Sequence, residues 1–256
     1  MASPTQYAVL QKDGIQPNAE QIRRAFSSFH NLTDADAIRL AASAQGILMR
    51  QLGSDAARAF QRALQAEGVA AAMVPETELR VLPESKSLHR LELNSDGFVI
   101  FDLLGHAHPL PWSDLTLVAA GAVRNIETSR DQAAQRSSST FGVHPNAMAA
   151  GTKLDAGSQL LLELVLTGRQ IRYEINAAQF PFKYAIDRPD YSTLEKFVWL
   201  VKEICRQSPH VLMNRGARDI CDGTDLVRGY ASRQLFTDEM VWLLWHNANS
   251  KQTGRS

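Results

Sequence analysis

The chain has no surplus of either charge. Lys plus Arg and Asp plus Glu both number 27 in 256 residues, so the formal net charge is zero. Proteins that live on nucleic acid or anionic membrane carry a basic excess that captures phosphate, so neither partner is expected. Cysteine is scarce. Cys205 and Cys221 are too few for a disulfide framework and fit a reducing cytoplasm. No apolar run approaches the roughly 20 residues that cross a bilayer. The opening "MASPTQYAVLQKDG" lacks the charged-then-apolar order of a secretory signal. Recognisable catalytic signatures are missing too. "VAAGAVRN" has one glycine where a dinucleotide fingerprint needs three, and "RSSSTFG" has hydroxyls but no lysine of a phosphate loop. Acidic residues are scattered singly, so no glycosidase-like carboxylate pair can be assigned.

What is present is a hydrophobic fraction of 45%, enough for a packed core. "YAVLQ" (7–11) reads as a strand. "QPNAEQIRRAFSSFH" offers Asn18 as a helix N-cap, with Ile22, Phe26 and Phe29 at helical spacing and Arg23 and Arg24 turned outward. A second helix is expected after Thr33, with Ala37, Ile38 and Ala41 on one face. "GILMRQL" (46–52) reads as a strand. "GSDAARAFQRALQAEGV" is a helix capped by Ser54, buried along Ala57, Phe60 and Leu64, and stopped at Gly68. "VAAAMV" (69–74) closes the unit as a third strand.

This order over residues 7–75 resembles the C-terminal domain of the bacterial ribosomal stalk protein, a general fold shared with the Clp protease adaptor. "HNLTDADAIRLA" sits at a stalk motif, where Leu32, Ala37 and Leu40 match, and "GSDAARAFQRALQAEGVAAAMV" follows its terminal helix and strand. The resemblance implies a βααβαβ fold. The stalk's factor-recruiting lysines are replaced here by Ala35 and Ile38, so that recruitment does not carry over with the fold.

"MVPETELRVLPESKS" is rich in proline and charge and marks a boundary, giving domains 1–78 and 79–256. Beyond it come "LHRLELN", a "SDG" turn, "FVIFD", a "LLGHAHP" turn and "LPWSDLTLVAAGAV", then strands "QLLLELVLTG" and "RQIRYEINAAQF". "YSTLEKFVWLVKEICRQSPH" is an amphipathic helix with a Ser192–Glu195 capping box and a core face of Phe197, Leu200, Val201 and Ile204. The passage Pro111, Trp112, Ser113, Asp114, Leu115 after a "DG"-led strand resembles bacterial pleckstrin-homology or GRAM barrels over about 80–208. That resemblance implies a β-barrel plugged by Trp112 and closed by the long helix. The polar stretch 124–158 reads as a long loop. The whole order of parts also resembles uncharacterised bacterial proteins, which implies no activity.

The expected fold class is therefore α+β: a small βααβαβ domain followed by a pleckstrin-homology-like barrel with C-terminal helices. Thr237 is expected to cap the last helix. Its run Met240–Trp245 is apolar all round and must be covered by the rest of the chain or by another subunit in a homo-oligomer.

Two readings of "GHAHP" stay open. It is a solvated hairpin turn, or His106 and His108 hold a metal with His144 or Asp102 as third ligand. Cys221 with His210 reads as a coincidence without a family signature, and Cys205 as a core residue. Lys86, His89 and Arg90 form a thin basic cluster diluted by Glu84 and Glu92, where a lipid headgroup would sit on a pleckstrin-like domain. The leading expectation is a cytoplasmic, non-catalytic interaction or adaptor protein without cofactor, its partner an unknown protein. Docking is expected around Arg23, Arg24, Ala35 and Ile38, or around His106, His108 and Trp112. A metal-dependent enzyme and a peripheral membrane-binding module are the alternatives.

Overall fold

The computed structural model describes residues 5–15, 17–27, 46–124, 157–186, 188–224 and 227–253. The fold is α+β and divides into two compact units. Unit 1 comprises residues 1–81 and 237–256, and unit 2 residues 82–236. The expected boundary near 78 thus falls a few residues later. The C-terminal stretch, expected with the second domain, groups with the first.

In unit 1, β1 (Tyr7–Gln11) is the centre of a three-stranded antiparallel sheet, flanked by β2 (Ile47–Leu52) and β3 (Ala71–Pro75). α1 (Ala19–Ser27) starts where Asn18 and Gln21 exchange side-chain-to-backbone hydrogen bonds of 2.8 and 3.0 Å. α2 (Ser54–Ala66) has Gly53, not Ser54, at its N-cap, so the expected side-chain cap is not made. It ends before Gly68, whose φ of +77° suits the residue type. Ile22, Phe26, Ala57, Phe60 and Leu64 bury the two helices against the sheet, with Phe26 and Phe60 meeting edge-on at 4.6 Å. The helix expected after Thr33 lies outside the described residues.

Unit 2 holds two sheets around one core. β5 (Leu91–Leu93), β6 (Gly97–Phe101) and β7 (Ala107–Pro111) form an antiparallel meander. β8 (Leu117–Arg124), β9 (Ser158–Leu166) and β10 (Ile171–Asn176) form a second one, extended by β4 (Ser85–Ser87) parallel to β10. Two short strands, β11 (Leu212–Met213) and β12 (Gly229–Tyr230), pair in parallel with opposite ends of β8. Among the described residues no sheet closes on itself.

Phe98, Ile100 and Leu110 from one sheet, Val118, Leu162, Leu164 and Ile175 from the other, and Phe197, Leu200, Val201 and Ile204 of α3 (Thr193–Gln207) share the core. The Ser192–Glu195 capping box that opens α3 forms as expected. Between β11 and β12 runs α4 (Arg215–Cys221). α5 (Arg233–Thr253) begins four residues before Thr237, with the Ser232 hydroxyl accepting from the Leu235 amide at 3.2 Å, so Thr237 is interior to the helix. Met240 through Leu244 are buried within the chain, and the Trp242 indole donates to the Gln11 carbonyl at 2.8 Å. Met240 to Leu244 of the run expected to need a cover are thus already buried, and Trp242 finds its partner in its own unit.

Candidate functional site

The β6–β7 turn spans residues 102–106, so of "GHAHP" only Gly105 and His106 lie in it while Ala107, His108 and Pro109 belong to β7, and Asp102 builds the turn. Its Oδ1 accepts the amides of Leu104 and His106, each at 2.9 Å, while Oδ2 faces His106 Nδ1 at 2.9 Å and His108 Nε2 at 3.4 Å. The His106 side chain, the His106 amide and then the other donors hold the Asp102 carboxyl well below the usual carboxylate range. Gly105 adopts φ +85°, which the reversal requires.

This bonding fixes a turn whose tip is apolar. Leu103 is 86% and Leu104 83% exposed, although both are large aliphatic side chains. Next to them, the Arg90 guanidinium stacks 3.9 Å from the Phe101 ring centroid and 4.5 Å from that of Tyr184. Glu92 holds Arg90 from the side. Arg90 of the expected basic cluster is therefore neutralised and sandwiched, while Lys86 and His89 are simply exposed. At the base of the same hairpin lies an open groove of about 370 Å³, lined by Asn94, Asp96, Phe98, Val99, Pro109 and Pro111 among others.

Trp112 is not on this surface. It is 7% exposed, packs 5.1 Å from Phe98, and donates its indole N–H to the Asn94 carbonyl at 3.0 Å. A tryptophan whose polar edge and rings are both satisfied inside is a core residue, and that corrects its reading as a partner contact. Arg23 and Arg24 do face outward on α1, but Glu20 engages both and Glu67 engages Arg24 at 3.1 Å. Ala35, Ile38 and His144 lie outside the described residues. Among the described residues no group of three or more His, Cys, Asp or Glu is placed to hold a metal ion.

Sequence reasoning missed two polar assemblies in unit 2. In the first, Glu163 is fully buried in the centre of β9 and faces its cross-strand neighbour Glu174 on β10. Arg233 reaches Glu163 Oε1 at 2.6 Å and also bonds Glu174. Arg172 Nε stands 3.2 Å from Glu163 Oε2 without hydrogen-bond alignment, and the Ser85 hydroxyl donates to the same oxygen at 3.3 Å. Burial pushes the Glu163 carboxyl up to about 7, against the opposing pull of Arg172 and Arg233. The signal was visible: a lone carboxylate inside "LLLELVL", a strand with both faces covered.

The second assembly is Asn214. Its fully buried amide accepts from the Ala120 N–H at 2.9 Å and donates to the Ala120 carbonyl at 3.1 Å and to the Tyr230 hydroxyl at 2.8 Å. The same oxygen caps α4 through the Ala217 amide at 2.9 Å. The side chain thus stands in for a strand residue in the gap between β11 and β12, so the β8 edge is satisfied along its length. Gly216 makes this approach feasible, because a Cβ there would lie 1.9 Å from the Ala120 carbonyl oxygen.

Comparison with protein-family models, with characterised proteins and with solved structures returned no match to this chain.

Proposed function

We propose that the protein is a non-catalytic interaction protein that docks a protein partner through the β6–β7 hairpin tip. The observation that carries this reading is the pair Leu103–Leu104, exposed on a turn that Asp102 holds in one conformation. Burying two leucines against a partner is worth roughly 3–6 kcal/mol before association costs. A preorganised turn lowers those costs because the loop entropy is already spent. The adjoining Arg90–Phe101–Tyr184 stack supplies the arginine and aromatic groups in which interface centres are enriched.

The finer architecture belongs to the same proposal. Unit 1 follows the stalk-like plan, supported by its antiparallel β2-β1-β3 order with α1 and α2 on one core. Unit 2 follows the pleckstrin-like plan, supported by two three-stranded meanders and a following helix that share one core. We place the protein in the cytoplasm, where free thiols such as Cys205 and Cys221 persist. Among the described residues no helix is long and apolar enough to cross a membrane.

The test is a photoreactive benzophenone amino acid at position 103 of the full chain, illuminated in the native cell. A discrete protein adduct that Leu104→Asp abolishes is the expected result. No adduct, or one indifferent to Leu104→Asp, overturns the reading.

A further inference from the structure

The outer strand of its meander is β7, and among the described residues no strand pairs with its far side. Pro109 and Pro111 lie on it opposite Val99 and Gly97. The register fixes which way their backbone groups point. The Asp102 amide donates to the His106 carbonyl at 3.2 Å, so in the same register Ile100–His108 and Phe98–Leu110 are the hydrogen-bonded pairs. Ala107, Pro109 and Pro111 alternate with these and turn their backbone groups toward the free edge. Proline has no N–H. Along 109–111 that edge presents carbonyl acceptors and no donor, which blocks the full ladder an added strand would need.

Both prolines are exposed and line the groove of about 370 Å³ at the hairpin base, together with Val99 and Gly97. Gly97 gives it bare backbone, because a Cβ there would lie 2.2 Å from the Leu110 carbonyl oxygen. Of the lining residues only Asp96 is charged. Its exposed carboxylate accepts from the Ser95 hydroxyl at 3.0 Å and has no cationic partner among the described residues. Glu92, which faces Val99 from β5, is already engaged by Arg90. The groove thus joins apolar walls to a free carboxylate and an edge of carbonyls.

We propose that this groove takes an arginine side chain of the protein partner, an assignment that rests on the docking reading above and names what the partner brings. The aliphatic stem lies along Val99 and the proline rings, and the guanidinium donates to Asp96 and to a carbonyl of the β7 edge. Arginine suits both halves, since it combines an apolar stem with a head that only donates. Its planar fork can engage a carboxylate and a carbonyl together, which the point charge of lysine does less well. A carboxylate or phosphate would meet Asp96 and an edge without N–H. Tip and groove lie at opposite ends of the hairpin, roughly 15–20 Å apart at the rise of a strand, so each can be tested alone.

The experiment titrates the isotope-labelled full chain with N-acetyl-arginine amide and with N-acetyl-citrulline amide, which keeps the shape without the charge. Saturable shifts of the Gly97, Val99 and Leu110 amides are expected. The arginine probe should bind about three- to fivefold more tightly than the citrulline probe, the range of an exposed ion pair. Asp96→Asn suits the same turn and should abolish that preference. No saturable shift, equal affinity for the two probes, or a preference that survives Asp96→Asn overturns the groove assignment and leaves the hairpin-tip reading standing. In the cell, Asp96→Asn should weaken the adduct formed from position 103, and an adduct of unchanged yield overturns the partner arginine. Absence of any adduct sinks the tip reading, while the titration still judges the groove by itself.

Discussion

Glu163 turns the buried charge cluster into a measurable pH dependence. Its carboxyl has an ordinary value of 4.5 and stands at about 7 in the folded chain. A raised carboxyl means that the folded state holds a proton the unfolded state has released. Stability from this group is therefore complete below about pH 4.5 and is lost as pH rises through about 7. The difference of some 2.5 pH units corresponds to about 3 kcal/mol in all, of which about 2–3 kcal/mol falls between pH 5 and pH 8.

Glu163→Gln keeps the shape and the acceptor oxygen toward Arg233 but cannot ionise. The stability of the Gln variant relative to wild type should rise by that amount over the same window, then level off. Histidines and exposed carboxylates titrate alike in both chains and cancel in the difference. Urea unfolding of both full chains at pH 5, 6, 7 and 8 reads it as a relative midpoint shift of about 1 M. Parallel midpoints across the range would refute the reasoning. They would show that the guanidinium groups of Arg172 and Arg233 outweigh burial and keep the carboxylate ionised throughout.

Two further expectations follow from the same accounting of polar groups. Asn214→Ala strips partners from the Ala120 N–H and carbonyl, the Tyr230 hydroxyl and the Ala217 amide. It should cost about 3–5 kcal/mol in chemical denaturation, and a cost under about 1 kcal/mol would mean that water replaces the side chain. Asp102→Ala removes the acceptor of the Leu104 and His106 amides, so those two amides should lose exchange protection while global stability stays near wild type. Unchanged protection would show that the backbone alone fixes the turn.

Much of the fold was legible because its determinants are local. Asn18 and Gln21 announce the start of α1, and Ser192 and Glu195 that of α3, because a cap needs only residues three apart. The reversal within "LLGHAHP" was legible from Gly105, whereas Pro109, read as its other marker, lies inside β7 opposite Val99. Its organiser was not, since Asp102 reads from sequence only as a candidate third metal ligand beside His144, and its two oxygens are occupied by amides and imidazoles. Trp112 reads two ways, as an interior plug and as a docking residue, because an aromatic after a proline reads the same whether its ring points in or out, and its burial fits the first alone. Burial against Phe98 is a property of the second strand.

The sequence by itself determined the α+β class, much of the strand and helix alternation, and the starts of α1 and α3, since those depend on periodicities and caps that span a few residues. Tertiary structure alone decided which distant groups meet: Glu163 with Arg233, and Asn214 with Ala120. It also returned the apolar end of α5 to the first unit. Both of these pairings join residues at least 70 positions apart. Strand register and helix packing set such contacts, and no short window of sequence encodes either.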